Sequence, residues 1–232
     1  MRLVRSVVVV LCLSACAPSS GTGRALHPGS GLDVGFTRAS YTFAMTANEG
    51  GYTGGIDPAA GTLDATVTVK DGGRTLTIHT LGAGGRYFAR LTGTPLPDVE
   101  GVWFAVDASR LSVDGSLGIS VTKDPTGIRG LVAAVTSVQS RGGGVWRGTA
   151  DLRKVTNWGP VTRSRIAQLG DAARVTHFEA AVDAAGRMTS MRVWVPGDVV
   201  TATYANFGAK VPVTAPSGAR PLPDSFYALL NL

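Results

Sequence analysis

Residues 62–79 read TLDATVTVKDGGRTLTIH. Leu63, Ala65, Val67 and Val69 alternate with Thr62, Asp64, Thr66, Thr68 and Lys70. Asp71-Gly72-Gly73 then breaks the run, and Leu76 and Ile78 alternate with Thr75, Thr77 and His79. Period-two alternation on both sides of a glycine turn is the pattern of a hairpin with one apolar and one polar face. The alternation precedes this hairpin at Tyr41, Phe43 and Met45. It returns after the glycine-rich turn at 82–85, at Tyr87, Ala89 and Leu91. With a further strand at 103–106, this predicts an antiparallel meander, apolar on one side. Strands are predicted again at 145–152, 174–183, 187–196, 199–206 and 211–214, with turns at 183–186 and 196–198.

One segment departs from period two. Asp124-Pro125-Thr126-Gly127 precedes Ile128, Leu131, Val132, Val135 and Val138, and Arg141-Gly142 follows. An Asp cap, a Pro in the first turn and this three-and-four spacing predict a helix over 125–139. A second helix is predicted over 161–169, after Gly159-Pro160. The tail at 225–230 reads as an apolar turn docking back on the domain.

The chain has 232 residues, 44% of them hydrophobic, with 31 Gly and 12 Pro. That is enough apolar material for a sizeable core, and too much punctuation for a helical bundle. The net charge of +6 is mild and dispersed. A nucleic-acid reader would show a basic stripe interleaved with aromatics, so no nucleic-acid partner is expected.

The N-terminus carries an address. Arg2 and Arg5 precede an apolar run at 7–13, far short of the roughly 20 residues that span a bilayer. Leu13-Ser14-Ala15-Cys16 follows, then Ala17-Pro18-Ser19-Ser20. This order resembles a bacterial lipoprotein signal, in which the cysteine thiol receives the diacylglycerol. The expectation is a signal peptide at 1–15, an acylated Cys16 with a flexible tether over 16–33, and one domain over 34–232. Cys12 leaves with the signal, so no disulfide or cysteine-bound zinc is expected. Two or three acyl chains would hold the domain on the extracytoplasmic side of the cell membrane.

Taken together, the lipobox, Asp124-Pro125 with Leu131, Val135 and Gln139, the strand bearing Trp146-Arg147-Gly148, and the closing hairpins over 175–213 resemble the LppX/LprG family of actinobacterial lipoproteins. Thr203-Tyr204-Ala205-Asn206-Phe207-Gly208 before Val211-Pro212-Val213 belongs to that likeness, which spans about 40–215. The resemblance implies an α+β, LolA-like fold: a strongly curved antiparallel sheet, or half-barrel, with helices on its concave face. It also implies an apolar cavity that binds lipid or acylated glycolipid for transport across the envelope, with an envelope transport protein as partner. One departure stands out. Relatives carry an amphipathic helix between tether and first strand, and 34–40 is too short for it.

The residues are compatible with that reading. A sixteen-carbon chain buried at roughly 0.8 kcal/mol per CH₂ represents about 12 kcal/mol, which demands an enclosed site of several hundred Å³. The candidate lining residues are Phe43, Met45, Val67, Ile78, Leu91, Phe104, Leu131, Val135, Phe178, Val182 and Val193. A bulky change such as Val135→Trp would then block uptake and leave the fold intact. The same small inward residues equally suit a filled core, and a scaffolding lipoprotein using loops 82–86 and 139–144 is the alternative. No enzyme is expected. Gly-x-Ser-x-Gly, His-Glu-x-x-His and Gly-x-x-x-x-Gly-Lys are absent from the sequence. His177 and Glu179 read as a solvated pair, and no metal or cofactor is expected.

Overall fold

The computed structural model describes residues 32, 36, 39–71, 73–111, 124–156, 158–224 and 226–227. The predicted signal and Cys16 lie outside them, as does most of the tether. The alternating segments form β1 (Tyr41–Ala47), β2 (Gly50–Asp57), β3 (Thr62–Asp71), β4 (Arg74–Ala83), β5 (Arg86–Thr92) and β6 (Trp103–Val106). The second half supplies β7 (Val135–Gly142), β8 (Val145–Ala150), β9 (Thr176–Val182), β10 (Met188–Val195), β11 (Asp198–Ala205) and β12 (Arg220–Pro221). They make one unclosed curved sheet in the order β12-β6-β5-β4-β3-β2-β1-β11-β10-β9-β8-β7. Every pair is antiparallel except β12 with β6.

Register carries one apolar face across the whole sheet. Met45 opposes Tyr52 on one side and Ala202 on the other. Tyr52 opposes Val67, which opposes Ile78, which opposes Leu91. In the other direction Ala202 opposes Met191, and Met191 opposes Ala180. The helices α1 (Ile128–Ala133) and α2 (Arg163–Leu169), with three short 3-10 turns, complete the described secondary structure. Ile128, Leu131 and Val132 of α1 and Ile166 of α2 join the core of this apolar face, so the architecture is the α+β half-barrel expected.

The predicted helix over 125–139 is corrected. The helix covers Ile128–Ala133 alone, and Val135–Gly142 is a strand. Asp124 does cap the start, its Oδ2 accepting from the Arg129 N–H at 2.8 Å, but the chain turns through Pro125 and a left-handed Gly127 (φ 68°) before the helix begins. Beyond Ala133 the β-branched run Val135, Thr136, Val138 favours a strand. A bulge between Val135 and Ser137 explains the misleading spacing. One extra residue on a strand puts positions three apart on the same face, so Val135 and Val138 both point inward and are buried.

Two other segments differ from expectation. β2 is rich in glycine, with only Tyr52 and Ile56 to mark its apolar face, and the alternation rule passes over it. The strand expected at 211–214 is irregular chain. Pro212, in its middle, lacks an N–H donor for a ladder, and the Val211 carbonyl instead accepts from Thr62 Oγ1 at 2.8 Å.

The core has two parts. The larger gathers the inner faces of β1–β3 and β7–β11 under α1, α2, Trp158, Phe36 and Leu32. Phe36 packs edge-on to Tyr41 and Tyr204, at 5.1 and 4.7 Å between ring centroids. Leu32 sits at the end of the predicted tether, so that end is docked. The smaller part gathers Ile78, Leu91, Val99 and Phe104 under Leu222, Phe226 and Tyr227 of the tail. Phe226 stacks on Phe104 at 6.3 Å, and Tyr227 Oη accepts from the Asp107 N–H at 2.7 Å. The apolar tail therefore docks back, on the β4–β6 end of the concave face.

Candidate functional site

Where the two parts of the core meet, the concave face is incompletely covered. A cavity of about 310 Å³ opens there, at the end of the half-barrel where three structural pieces converge. The β1–β2 hairpin supplies Ala47 to Tyr52, β3 supplies Val67, Thr68 and Val69, and the β10–β11 hairpin supplies Val195, Gly197, Asp198 and Val200. Across from the sheet lie Gly159, Pro160, Val161, Thr162 and Arg165. Val67 is half-buried and packs against both parts of the core, which makes it the hinge point between filled and open interior.

The mouth is stitched. The Asn48 N–H donates to both Asp198 carboxylate oxygens at 3.2 Å, and Asn48 Nδ2 donates to the Gly197 carbonyl at 3.1 Å. Arg165 Nη2 donates to the Pro196 carbonyl at 3.1 Å, tying α2 to the same turn. On the covering side, Gly159 adopts φ +51° and sits directly on the Met45 thioether, where any side chain would overlap it. Its N–H donates to the Thr126 carbonyl at 3.1 Å, which fixes the 158–161 turn against the start of α1. The walls are thus held by backbone close approach and short polar ties, and the space between them is shaped by Val67, Val69, Val161, Val195, Val200 and Tyr52.

The floor is uncharged. Burial pushes the Tyr52 hydroxyl up, out of reach of ordinary pH, and does the same for Tyr41 and Tyr204 behind it. Tyr204 Oη and Trp158 Nε1 are buried without a hydrogen bond of good geometry, although each lies close enough to feel the other. Asp124 sits beside this aromatic layer. Burial holds its carboxyl above the usual carboxylate range, partly offset by the N–H groups of Arg129 and Gly130. Charge enters only at the lip, as Glu49, Asp198 and Arg165.

Of the candidates read from sequence, Val67 lines this cavity. Phe43, Met45, Leu131, Val135, Phe178 and Val193 are buried in the larger part of the core, with Val182 half-buried against it. Ile78, Leu91 and Phe104 are buried in the smaller part, beneath the tail. Most of the lining went unnamed in the sequence reading because it comes from turns: Asn48, Gly159 to Thr162 and Gly197 carry no periodic signal. Cys16 lies outside the described residues.

Polar clusters elsewhere are structural. His79 Nε2 lies 2.8 Å from Asp64 Oδ1 on the outer face, its ring 5.1 Å from Trp103. His177 and Glu179 share the outer face of β9, where His177 is exposed and Glu179 accepts from Arg147 Nε at 2.6 Å. Among the described residues, no group of three or more His, Cys, Asp or Glu is placed to hold a metal.

No protein-family model matches the sequence, and no curated protein matches it. Among solved structures, LppX, a lipoprotein of Mycobacterium tuberculosis, is similar at 13% identity over 75% of this chain and 89% of its own, with a TM-score of 0.43. LprF from Mycobacterium bovis is similar at 18% identity over 79% of this chain and 91% of its own, with a TM-score of 0.50. This chain shares its curved half-barrel fold with LprF, a mycobacterial lipoprotein of the LppX/LprG family.

Proposed function

We propose that the protein is a membrane-anchored lipoprotein that takes an acyl chain of a lipid or glycolipid into the cavity between β1–β3, β10–β11 and the 159–165 segment, and passes it across the envelope. The cavity carries this reading. Its volume of about 310 Å³ lies at the lower end of the roughly 300–1,000 Å³ typical of small-molecule sites. Five valines, Val67, Val69, Val161, Val195 and Val200, with Tyr52 give it an apolar side, and Asn48, Glu49, Asp198 and Arg165 give it a polar one, a division that suits an acyl chain with a polar head. The lipobox ending at Cys16 supports anchorage on the extracytoplasmic face of the cell membrane, and the fold shared with LprF supports a binding module in preference to an enzyme. An envelope transport protein would be the natural partner for onward delivery.

A second reading, a scaffolding lipoprotein, draws on a specific observation: Met45, Ile78, Leu131 and Val193 are wholly buried, so most of the interior is filled by the protein's own side chains. Native mass spectrometry of the protein extracted from its own membrane separates the two. A bound species with the mass of a lipid or glycolipid, lost on Val67→Trp, is the result expected of the carrier. A bare protein mass, together with no uptake of a fluorescent fatty acid, supports the scaffold.

A further inference from the structure

Of the four large apolar side chains exposed among the described residues, three gather at one end of the sheet: Val175 at 60%, Trp194 at 41% and Val199 at 43%. Trp194 opposes Val199 across β10–β11 and His177 across β9–β10, and Val175 lies two residues from His177. Alternation sends Trp194 and Val199 outward, while their neighbours Val195 and Val200 turn inward to line the cavity. The hairpin that walls the cavity thus presents apolar side chains on both faces. An outward face bathed in water favours polar residues at such positions.

Charge surrounds these residues. Arg174 precedes Val175 in the chain and Arg192 lies two residues from Trp194, both exposed. Arg141 and Arg147 line a hollow on the outer face together with His177 and Trp194, whereas Arg165 lies at the cavity lip, tied to the Pro196 carbonyl. Of the nearby carboxylates, Glu179 lies between Arg147, at 2.6 Å, and Arg192 across β9–β10, Asp171 lies 3.6 Å from Arg153, and Asp198 keeps its negative charge at the cavity lip. An indole and valines with guanidinium groups on the same stretch of surface match the region where acyl chains give way to anionic headgroups.

We propose that this end of the sheet, formed by Val175, Trp194 and Val199 with Arg174 and Arg192, is a docking surface for an anionic phospholipid membrane. Trp194 and Val199 enter the headgroup layer, Arg174 and Arg192 meet lipid phosphates, and the mouth beside Gly197 and Asp198 is brought to the bilayer surface. The surface stands on its own residues and does not require that the cavity take a lipid.

The test uses the full chain reconstituted into vesicles of phosphatidylcholine and phosphatidylglycerol with brominated acyl chains, which quench tryptophan on contact. The quenched fraction in the unaltered protein should be at least twice that in Trp194→Phe. It should fall by half or more in R174E/R192E, in Val199→Ser, and in vesicles lacking phosphatidylglycerol. Equal quenching in the unaltered protein and Trp194→Phe overturns the docking surface, and equal quenching with and without phosphatidylglycerol overturns its anionic character. Val67→Trp, which fills the cavity, should leave Trp194→Phe-sensitive quenching in place. Loss of lipid uptake with that quenching retained supports both proposals, whereas absence of lipid in every form overturns the carrier reading alone.

Discussion

At the scale of single residues, two positions carry the covering wall of the cavity. Gly159 combines a left-handed backbone with direct contact on the thioether end of the buried Met45, which must shift to admit any Cβ there. Gly159→Ala should therefore cost about 2–4 kcal/mol, backbone strain and overpacking together; chemical denaturation measures it, and an unchanged midpoint would contradict the close approach. Asp124 caps α1 through Arg129, and its folded carboxyl is raised by burial above the ordinary value of 3.8. The unfolded chain releases that proton at lower pH than the folded one. Folding stability is therefore lost as pH rises from 3.8 through the raised value, and is unaffected by this group below that window. Asp124→Asn keeps an acceptor for the Arg129 N–H and removes the charge. Its stability relative to the unaltered protein should rise as pH is brought from acid to neutral, and a difference independent of pH would contradict a buried carboxylate. Asp124→Ala, which loses the cap, should cost about 1 kcal/mol at acid pH and less as pH rises, because it also removes the buried charge.

At the scale of elements, the sequence exposed the strands whose two faces differ and concealed those built by other means. β1, β3, β4 and β5 are legible because Tyr41 to Leu91 alternate cleanly between apolar and polar. β2 escapes because Gly50, Gly51, Gly54 and Gly55 replace the side chains that would mark a face. They are needed there: a Cβ at Gly54 would collide with the Asp64 carbonyl and Ala65 of β3. β7 was disguised as helix by its bulge, since Val135 and Val138 are three apart on a strand that holds one residue too many. The second helix was legible from Gly159-Pro160, and Thr162 Oγ1 indeed accepts from the Arg165 N–H at 3.3 Å at its start. Of the candidate cavity, only Val67 was read, because turns contribute most of the lining and have no period. The tail shows how an end can act as an element. Phe226→Ala removes the ring stacked on Phe104 and should cost about 3 kcal/mol. A cost near zero in thermal or chemical unfolding would show that the β4–β6 end of the sheet needs no cover.

At the scale of the whole molecule, the concave face is filled from two sides and left open where they meet, at one end of the half-barrel. α1, α2 and the Trp158 turn fill one side, the tail fills the other, and Val67 stands where they fail to meet. This changes where a blocking substitution belongs. Val135 lies in the packed core at 3% exposure, so Val135→Trp would overpack it at about 1–3 kcal/mol. Val67→Trp projects into open space, and should preserve the unfolding midpoint while lowering fatty-acid affinity at least tenfold, or about 1.4 kcal/mol. Unaltered affinity would move the site elsewhere. The most direct measurement is photolabelling of the full chain with a fatty acid bearing a diazirine on its acyl chain, followed by peptide mapping of the modified residues. The account predicts labels on the 47–52, 67–69, 159–165 and 195–200 segments, suppressed by Val67→Trp. Labels confined to the β4–β6 end around Ile78, Leu91 and Phe104, or none at all, would contradict it.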